Sequence, residues 1–267
     1  MISLITINKN NLSGLKKTVE SVTSQTYRDF KWYIIDGLST DGSIDYINNI
    51  NFPSLIRVIE PDKGIYSAMN KGIDLVDNEN LVLFLNSGDS LSNKHVLSKV
   101  RQYSKQTDIL ICNYIKQIED KCITVKNPES LNILWLFSKT INHQSYFTKG
   151  SLLKKYKFDE KYKIASDWMQ LFSILYYEGS ISCKKLDLII TNYEGGGISE
   201  LLNDKRIAEL ESYLREKLSK NVYDSFLEIG GLVAKSNFKD LLKLASSKWR
   251  WKVVVFWTRV LSTSNRG

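Results

Sequence analysis

Apolar positions change their spacing along the chain, and the changes mark out its elements. Ile2-Ser3-Leu4-Ile5-Thr6-Ile7 is a strand-like run, broken by Asn8-Lys9-Asn10-Asn11. Leu12, Leu15, Val19 and Val22 follow at helical spacing. Trp32-Tyr33-Ile34-Ile35 predicts a second strand, stopped by Asp36-Gly37. Ser39, Thr40 or Asp41 can cap the next helix, whose apolar positions include Ile44 and Ile47. Ile56 to Ile59 predicts a third strand, Gly64 to Val76 a third helix, and Leu81 to Leu85 a fourth strand. Strands and helices alternating through short loops predict an α/β fold, with a mostly parallel sheet flanked by helices. From Thr107 to Tyr193 strands mix with an irregular polar segment around Asn142-His143-Gln144, and a helix begins near Ser166-Asp167-Trp168. Beyond Leu201 the pattern is helical and amphipathic, with an interruption at Gly230-Gly231.

Ligands of such sheets sit at the carboxyl ends of the strands. The polar clusters of this chain fall at those ends: Asn8 to Asn10, Asp36 to Asp41, Pro61 to Lys63, and Asn86 to Asp89. Polar loops alone would be ordinary. Their coincidence with predicted strand exits makes them the first functional signal.

Composition narrows the class without changing the layout. With 43% hydrophobic and 25% charged residues, the chain reads as globular. Its length of 267 residues suits one large domain or one domain with an appendage. Cys112, Cys122 and Cys183 suit neither a zinc site nor a disulfide framework, so a reduced, cytoplasmic setting is expected. Met1 leads directly into a strand, without the basic region and cleavage site of a signal peptide. No apolar run reaches the ~20 residues of a spanning helix. The net charge is +8, and residues 201–267 carry 13 Lys and Arg against 7 Asp and Glu, or +6 of it. A basic tail on a near-neutral body points to one anionic surface partner and away from nucleic acid.

Several residues have chemistry to offer at these ends. Asp36 can accept hydrogen bonds from a base or ribose, although Asp-Gly is also ordinary turn chemistry. Lys63 can neutralise a phosphate near a helix N-terminus, or simply face solvent. Asp89 is the candidate metal ligand, because Mg²⁺ takes one or two carboxylates while substrate phosphates and water complete its shell. Asp167, beside Trp168, is the candidate general base, and its aromatic neighbour leads to the expectation of a raised pKa. His143 and Gln144 can bind acceptor hydroxyls or a phosphate. Glu194 to Ser199, with three glycines, can close over a substrate or serve as a plain linker. Neither G-x-G-x-x-G nor G-x-x-x-x-G-K-[ST] occurs, which disfavours dinucleotide-binding enzymes and P-loop NTPases.

In order, Ile5-Thr6-Ile7-Asn8-Lys9-Asn10, Ser24-Gln25-Thr26-Tyr27, Ile34 to Ser43, Asp62-Lys63-Gly64-Ile65-Tyr66, Ala68 to Gly72 and Phe84-Leu85-Asn86-Ser87-Gly88-Asp89 resemble the family-2 inverting glycosyltransferases of the GT-A fold. The resemblance is close over residues 2–91 and looser to about residue 200, and looks most like the bacterial surface-polysaccharide type (colanic acid or O-antigen). It implies a GT-A domain over residues 1–200, with a nucleotide-binding half at 1–91, an acceptor-side half at 92–200, and a helical C-terminal appendage over 201–267. It implies that Thr6, Asn8, Asp36, Ser39 and Asp41 surround the nucleotide, with Lys63, Asn70, Asn86 and Ser87 along the donor. Asp89 falls on the last acid of the family's metal motif, for Mg²⁺ or Mn²⁺, while Asn86 and Gly88 stand where acids are usual. Asp167 falls on the catalytic base, with Ser166 in place of the commoner Glu. The implied donor is a UDP-sugar, with GDP- or dTDP-sugars as alternatives, and the implied acceptor is a glycan, in one form linked to polyprenyl diphosphate. A nucleotidyltransferase and a silent nucleotide-sugar-binding scaffold are the rival readings.

Within the basic tail, Lys248, Lys252 and Arg259 fall on one face of a helical projection, opposite Trp249, Val253, Phe256, Trp257 and Val260. That pattern suits peripheral contact with the inner face of the plasma membrane. A helix docked on the catalytic domain, or on a homodimer partner, gives the same pattern.

Overall fold

The computed structural model describes residues 1–118, 121–138, 140–195 and 202–235. It divides into two compact units, residues 1–136 with 140–203, and residues 137–139 with 204–267. The basic amphipathic stretch 248–260 and most of the glycine-rich stretch after Glu194 lie outside the described residues.

The first unit is built on a nine-stranded sheet. Strands β1 (Ile2–Asn8), β2 (Phe30–Asp36), β3 (Leu55–Ile59) and β4 (Leu81–Phe84) run parallel, in the order β3-β2-β1-β4. Every residue of β1 is buried, because helices cover both faces. Side chains alternate across the strand. Leu4 packs with Trp32, Ile34 and Leu83 in one core cluster, along with Leu15, Val19 and Val22 of α1 (Leu12–Thr23). Ile5 and Ile7 enter the other cluster with Tyr33, Ile35 and Val82. Met69 and Ile73 of α3 (Ile65–Leu75) close that side. α2 (Ser43–Asn48) lies between β2 and β3 in the chain and contributes Ile47 to the first core.

The sheet then continues with antiparallel pairings that hydrophobic period alone did not reveal. β8 (Tyr146–Lys149) pairs antiparallel with β4 and with β6 (Ile109–Ile118). β9 (Cys183–Tyr193) runs parallel to β6, with a register shift between Ile111 and Tyr114. Short β5 (Ser90–Leu91) pairs with β9, and β7 (Lys121–Val125) forms a hairpin with β6. The remaining helices of this part of the chain are α4 (Val96–Val100), α5 (Ile133–Ser138), α6 (Gly150–Lys155) and α7 (Ser166–Tyr177). The 3-10 turn His143–Ser145 leads directly into β8.

The second unit contains α8 (Asn203–Lys217) from Asp204 onward, and α9 (Lys220–Lys235). α9 runs without a break through Gly230-Gly231, where the sequence suggested an interruption. Each helical glycine costs about 1 kcal/mol against alanine, and the rest of the helix carries that cost.

Gly150 shows how tightly α6 meets the loop before β4. Its N–H donates to the Asn80 carbonyl at 2.8 Å, and a Cβ there would strike the carbonyl oxygen of Asp77. Backbone cannot swing aside as a side-chain tip can. Gly150→Ala is therefore expected to cost about 1–3 kcal/mol, read as a lower urea midpoint with an unchanged slope.

Candidate active site

Three groups of polar side chains gather at the exits of β1, β2, β4 and β9. The first joins β1 to β2. Asn8 is the register partner of Asp36, and its Nδ2 donates to Asp36 Oδ2 at 2.7 Å. Ser39 returns to the same carboxylate, through Oγ to Oδ2 at 2.8 Å and through its N–H to Oδ1 at 2.7 Å. Asn10 N–H donates to Ser39 Oγ at 2.7 Å. Asp41 stands further out and accepts from the Leu12 and Ser43 N–H groups at 2.8 and 3.1 Å. With Asn10, Asn11 and Lys16 it borders a cavity of about 400 Å³. Buried Asp36 thus has three donors of its own and fastens the two strand ends together.

The second group is the turn after β4. Ser87 N–H donates to the Ile7 carbonyl at 3.1 Å, and Asp89 N–H to the Asn86 carbonyl at 3.0 Å. Gly88 has φ +108°, a left-handed conformation that favours glycine. Thr18 of α1 ties the turn down: its hydroxyl donates to the Asp89 carbonyl at 2.7 Å and accepts from Gly88 N–H at 3.1 Å. Asn11, the N-cap of α1, reaches the same turn through Nδ2 to the Ser87 carbonyl at 3.1 Å. The Asp89 side chain turns inward, and the residue is 6% exposed. Its Oδ1 accepts from Glu194 N–H at 3.0 Å, and its Oδ2 from Gln144 Nε2. Burial dominates and pushes its carboxyl up to about 6, with the Glu194 carboxylate adding to the rise, while the Glu194 N–H, His143 and Lys17 favour ionisation.

The third group surrounds Asp167, in the first turn of α7. Its Oδ2 faces His143 Nδ1 at 3.3 Å, and its Oδ1 accepts from Trp168 N–H at 2.8 Å and, at 3.3 Å, shares the Tyr66 hydroxyl, which donates more closely to the Ile164 carbonyl at 2.8 Å. His143 Nε2 in turn faces Asn86 Nδ2 at 3.3 Å. With the amide as donor, Nε2 accepts and the ring proton sits on Nδ1, aimed at Asp167. Burial alone would raise the Asp167 carboxyl, but the hydrogen bond and electrostatic pull of His143, with the Trp168 and Tyr66 donors, together hold it below the ordinary aspartate value. This reverses the raised pKa expected from the neighbouring tryptophan. The Trp168 ring points elsewhere, with Nε1 donating to the Leu136 carbonyl at 3.0 Å.

Not every predicted residue reaches these groups. Thr6 is fully buried within β1, and its hydroxyl accepts from Trp32 Nε1 at 3.0 Å. Asn70 spends both ends of its amide on the Phe158–Glu160 loop: Nδ2 donates to the Phe158 carbonyl at 2.9 Å, and Oδ1 accepts from Phe158 N–H at 3.0 Å. Lys63 is exposed on the loop before α3. Sequence reasoning passed over Thr18, Tyr66 and Glu194 as site residues. Tyr66 and Glu194 lay in quoted segments, whereas Thr18 sits mid-helix without any local signal.

Comparison with known proteins agrees with this architecture. The family model "Glycosyl transferase family 2" matches residues 3–175. A "PGL/p-HBAD biosynthesis glycosyltransferase" of Mycobacterium tuberculosis is 29% identical over 224 residues, covering 77% of this chain and 81% of its own. Another M. tuberculosis glycosyltransferase is 38% identical over 99 residues, which is 37% of each chain. Among solved structures, S. aureus TarS 1-349 in complex with UDP-GlcNAc superposes with a TM-score of 0.66 at 17% identity, covering 85% of this chain and 70% of that one. The mannosyltransferase PcManGT from Pyrobaculum calidifontis, in complex with GDP-Man and Mn²⁺, gives 0.59 at 13% identity, covering 99% and 86%. The chain belongs to glycosyl transferase family 2, and it is a glycosyltransferase with the GT-A fold.

Proposed function

We propose that this enzyme moves a sugar from a nucleoside diphosphate to a glycan hydroxyl in one inverting displacement. One observation carries the reading: a single hydrogen-bonded chain, Asn86–His143–Asp167, runs from the turn after β4 to an ionised carboxylate. Two acids whose surroundings push their pKa values apart serve two roles. Asp167, held ionised, takes the proton of the acceptor hydroxyl. As that O–H bond breaks, the oxygen attacks the anomeric carbon, and the bond to the diphosphate oxygen breaks on the opposite side. His143 donates to Asp167 and fixes which oxygen faces the acceptor. No covalent intermediate forms, and the anomeric centre inverts.

The strand exits suit a divalent cation of the Mg²⁺ or Mn²⁺ kind. Asp89 is a buried carboxylate with too little positive charge near it, and the Gln144 Oε1, Asn86 Oδ1 and Ser87 Oγ atoms are buried without hydrogen-bond partners. Hard cations take oxygen ligands of this type. Asp89 would hold the ion, whose chemistry is to offset charge on the departing diphosphate. In this reading the cavity beside Asp41, with Asn8, Asp36 and Ser39 behind it, serves the nucleotide. Residues 1–91 then form the donor half, and 92–200 the acceptor half.

A UDP-sugar is the first choice of donor, with GDP- and dTDP-sugars as alternatives. TarS and PcManGT, which carry UDP-GlcNAc and GDP-Man, lend support to that choice. The assignment to bacterial surface polysaccharide and a polyprenyl-linked acceptor rests on the sequence type and on the basic, tryptophan-rich stretch 248–260. The relative named as a PGL/p-HBAD biosynthesis glycosyltransferase supports a biosynthetic role. Among the described residues no helix is long and apolar enough to cross a membrane.

Two measurements test this reading. Asp167→Asn is expected to retain thermal stabilisation by Mn²⁺ with UDP, GDP or dTDP, while transfer falls by at least about a hundred-fold. His143→Asn, whose amide can replace the Nδ1–H donor, should keep most of kcat, whereas His143→Gln should lose it at unchanged donor KM. Transfer by Asp167→Asn at the parent rate removes the base assignment. The second concerns stability. The unfolded chain releases the Asp89 proton near 3.8 and the folded chain near 6, so stability falls as pH rises between them. Without divalent cations, Asp89→Asn is expected to stabilise the protein by up to about 3 kcal/mol above that range. The gain should shrink towards pH 4 in melts with a chelator present.

A further inference from the structure

The turn Asn86-Ser87-Gly88-Asp89 carries one acid, and Gly88 leaves a gap beside it. That gap is already occupied. A Cβ built on Gly88 would lie 2.8 Å from Glu194 Oε2, so the Glu194 carboxylate covers the backbone at position 88. Glu194 arrives there from the end of β9, far away in sequence, because its own N–H is fixed to Asp89 Oδ1 at 3.0 Å. The same backbone step therefore anchors one carboxylate and delivers another.

Two further observations separate this pair from a chance meeting of acids. Gln144 is 2% exposed and gives its Nε2 to Asp89, which leaves Oε1 of the same amide buried beside the carboxylate with no partner. A buried oxygen without a partner calls for one, and a cation or a donor would supply it. Lys17 of α1 supplies the positive charge that is present: its Nζ lies 3.3 Å from Glu194 Oε1. Both of these side chains are about half exposed, so the ammonium is a weakly held, exchangeable counter-ion.

Building on the metal reading above, we infer that Glu194 is the second carboxylate of the divalent-cation site. It replaces from β9 the acid that the turn after β4 lacks. In this arrangement Asp89 and Glu194 supply the charge, Gln144 Oε1 supplies a neutral oxygen, and Lys17 gives up Glu194 when the cation binds. Lys17 is then free to meet the diphosphate that the cation accompanies. Two carboxylates and substrate phosphates make a complete set for Mg²⁺ or Mn²⁺. The glycine at 88 becomes a requirement on this account, since any side chain there would displace the Glu194 carboxylate.

The test reads metal binding directly, apart from turnover. The full-length protein is titrated with Mn²⁺ near neutral pH, alone and with UDP, GDP or dTDP, and free Mn²⁺ is counted by electron paramagnetic resonance. Glu194→Gln keeps the backbone N–H that holds Asp89, and it is expected to weaken Mn²⁺ binding about ten-fold, a loss of about 1.4 kcal/mol. In the titration without a diphosphate, Lys17→Met, which removes the competing ammonium, is expected to bind Mn²⁺ as tightly as the parent or more tightly. If Glu194→Gln binds as the parent does while Asp89→Asn does not, the second-ligand role falls and the single-acid site survives. An equal loss in Lys17→Met and Glu194→Gln without a diphosphate would mean that the ion pair merely orders the turn, and would also overturn the inference. Failure of the parent protein to bind Mn²⁺ with any of the three diphosphates would remove the metal site and this ligand together.

Discussion

Burial of β1 on both faces governs where this protein can do chemistry. A strand sandwiched between two helical layers has no solvated side, so a polar side chain along it must find an internal partner. Thr6 shows the consequence, with its hydroxyl committed to the indole of Trp32. Only at the carboxyl ends, where the strands outrun the helices, can amides and carboxylates gather without an apolar lid. Asn8, Asp36, Asn86 and Asp89 occupy those ends, and each is tied to a neighbouring loop. The sheet fixes the positions of the loops, and the loops fix the side chains.

Much of this layout was legible because local periodicity reports burial. The run Ile2 to Ile7, the helix carrying Leu15, Val19 and Val22, and the strand Leu81 to Leu85 all fall within a residue or two of the structural elements. The antiparallel half was less legible, since β8 joins β4 to β6 across long stretches of chain and no local pattern encodes a partner. Side-chain roles divided along the same line. Asp36 with Ser39 is a local pairing inside one quoted segment, and the structure brings the two together. Asn70 lies in an equally suggestive segment, yet its amide meets Phe158, 88 residues later. His143 gave only an isolated signal. Its significance comes from meeting Asp167 on one side and Asn86 on the other, and only the fold creates that meeting.

The two acids of the site illustrate how environment assigns chemistry to identical side chains. Asp167 has its carboxylate ringed by an imidazole, a phenol and a backbone N–H, donors that favour the ionised form. A weak base that is always ionised suits a step in which proton removal accompanies attack. Asp89 is more enclosed and has an amide and one N–H, which are dipoles rather than charges. Dipoles alone do not offset the loss of hydration there, so the carboxylate is ionised at a cost. That cost is what a bound cation would relieve under the proposed metal reading. A fully satisfied carboxylate would gain little from one.

The turn after β4 carries a single acid, Asp89. Counting acids within the turn suggests a weak site, because counting assumes that charge must come from contiguous residues. Electrostatic potential depends on distance, and residues from α1, the 143–145 turn and the end of β9 approach Asp89 more closely than sequence order would suggest. Gly88 removes a side chain and thereby lets another strand's carboxylate approach. The acid missing from the turn in one dimension leaves, in three, the space that the Glu194 carboxylate occupies.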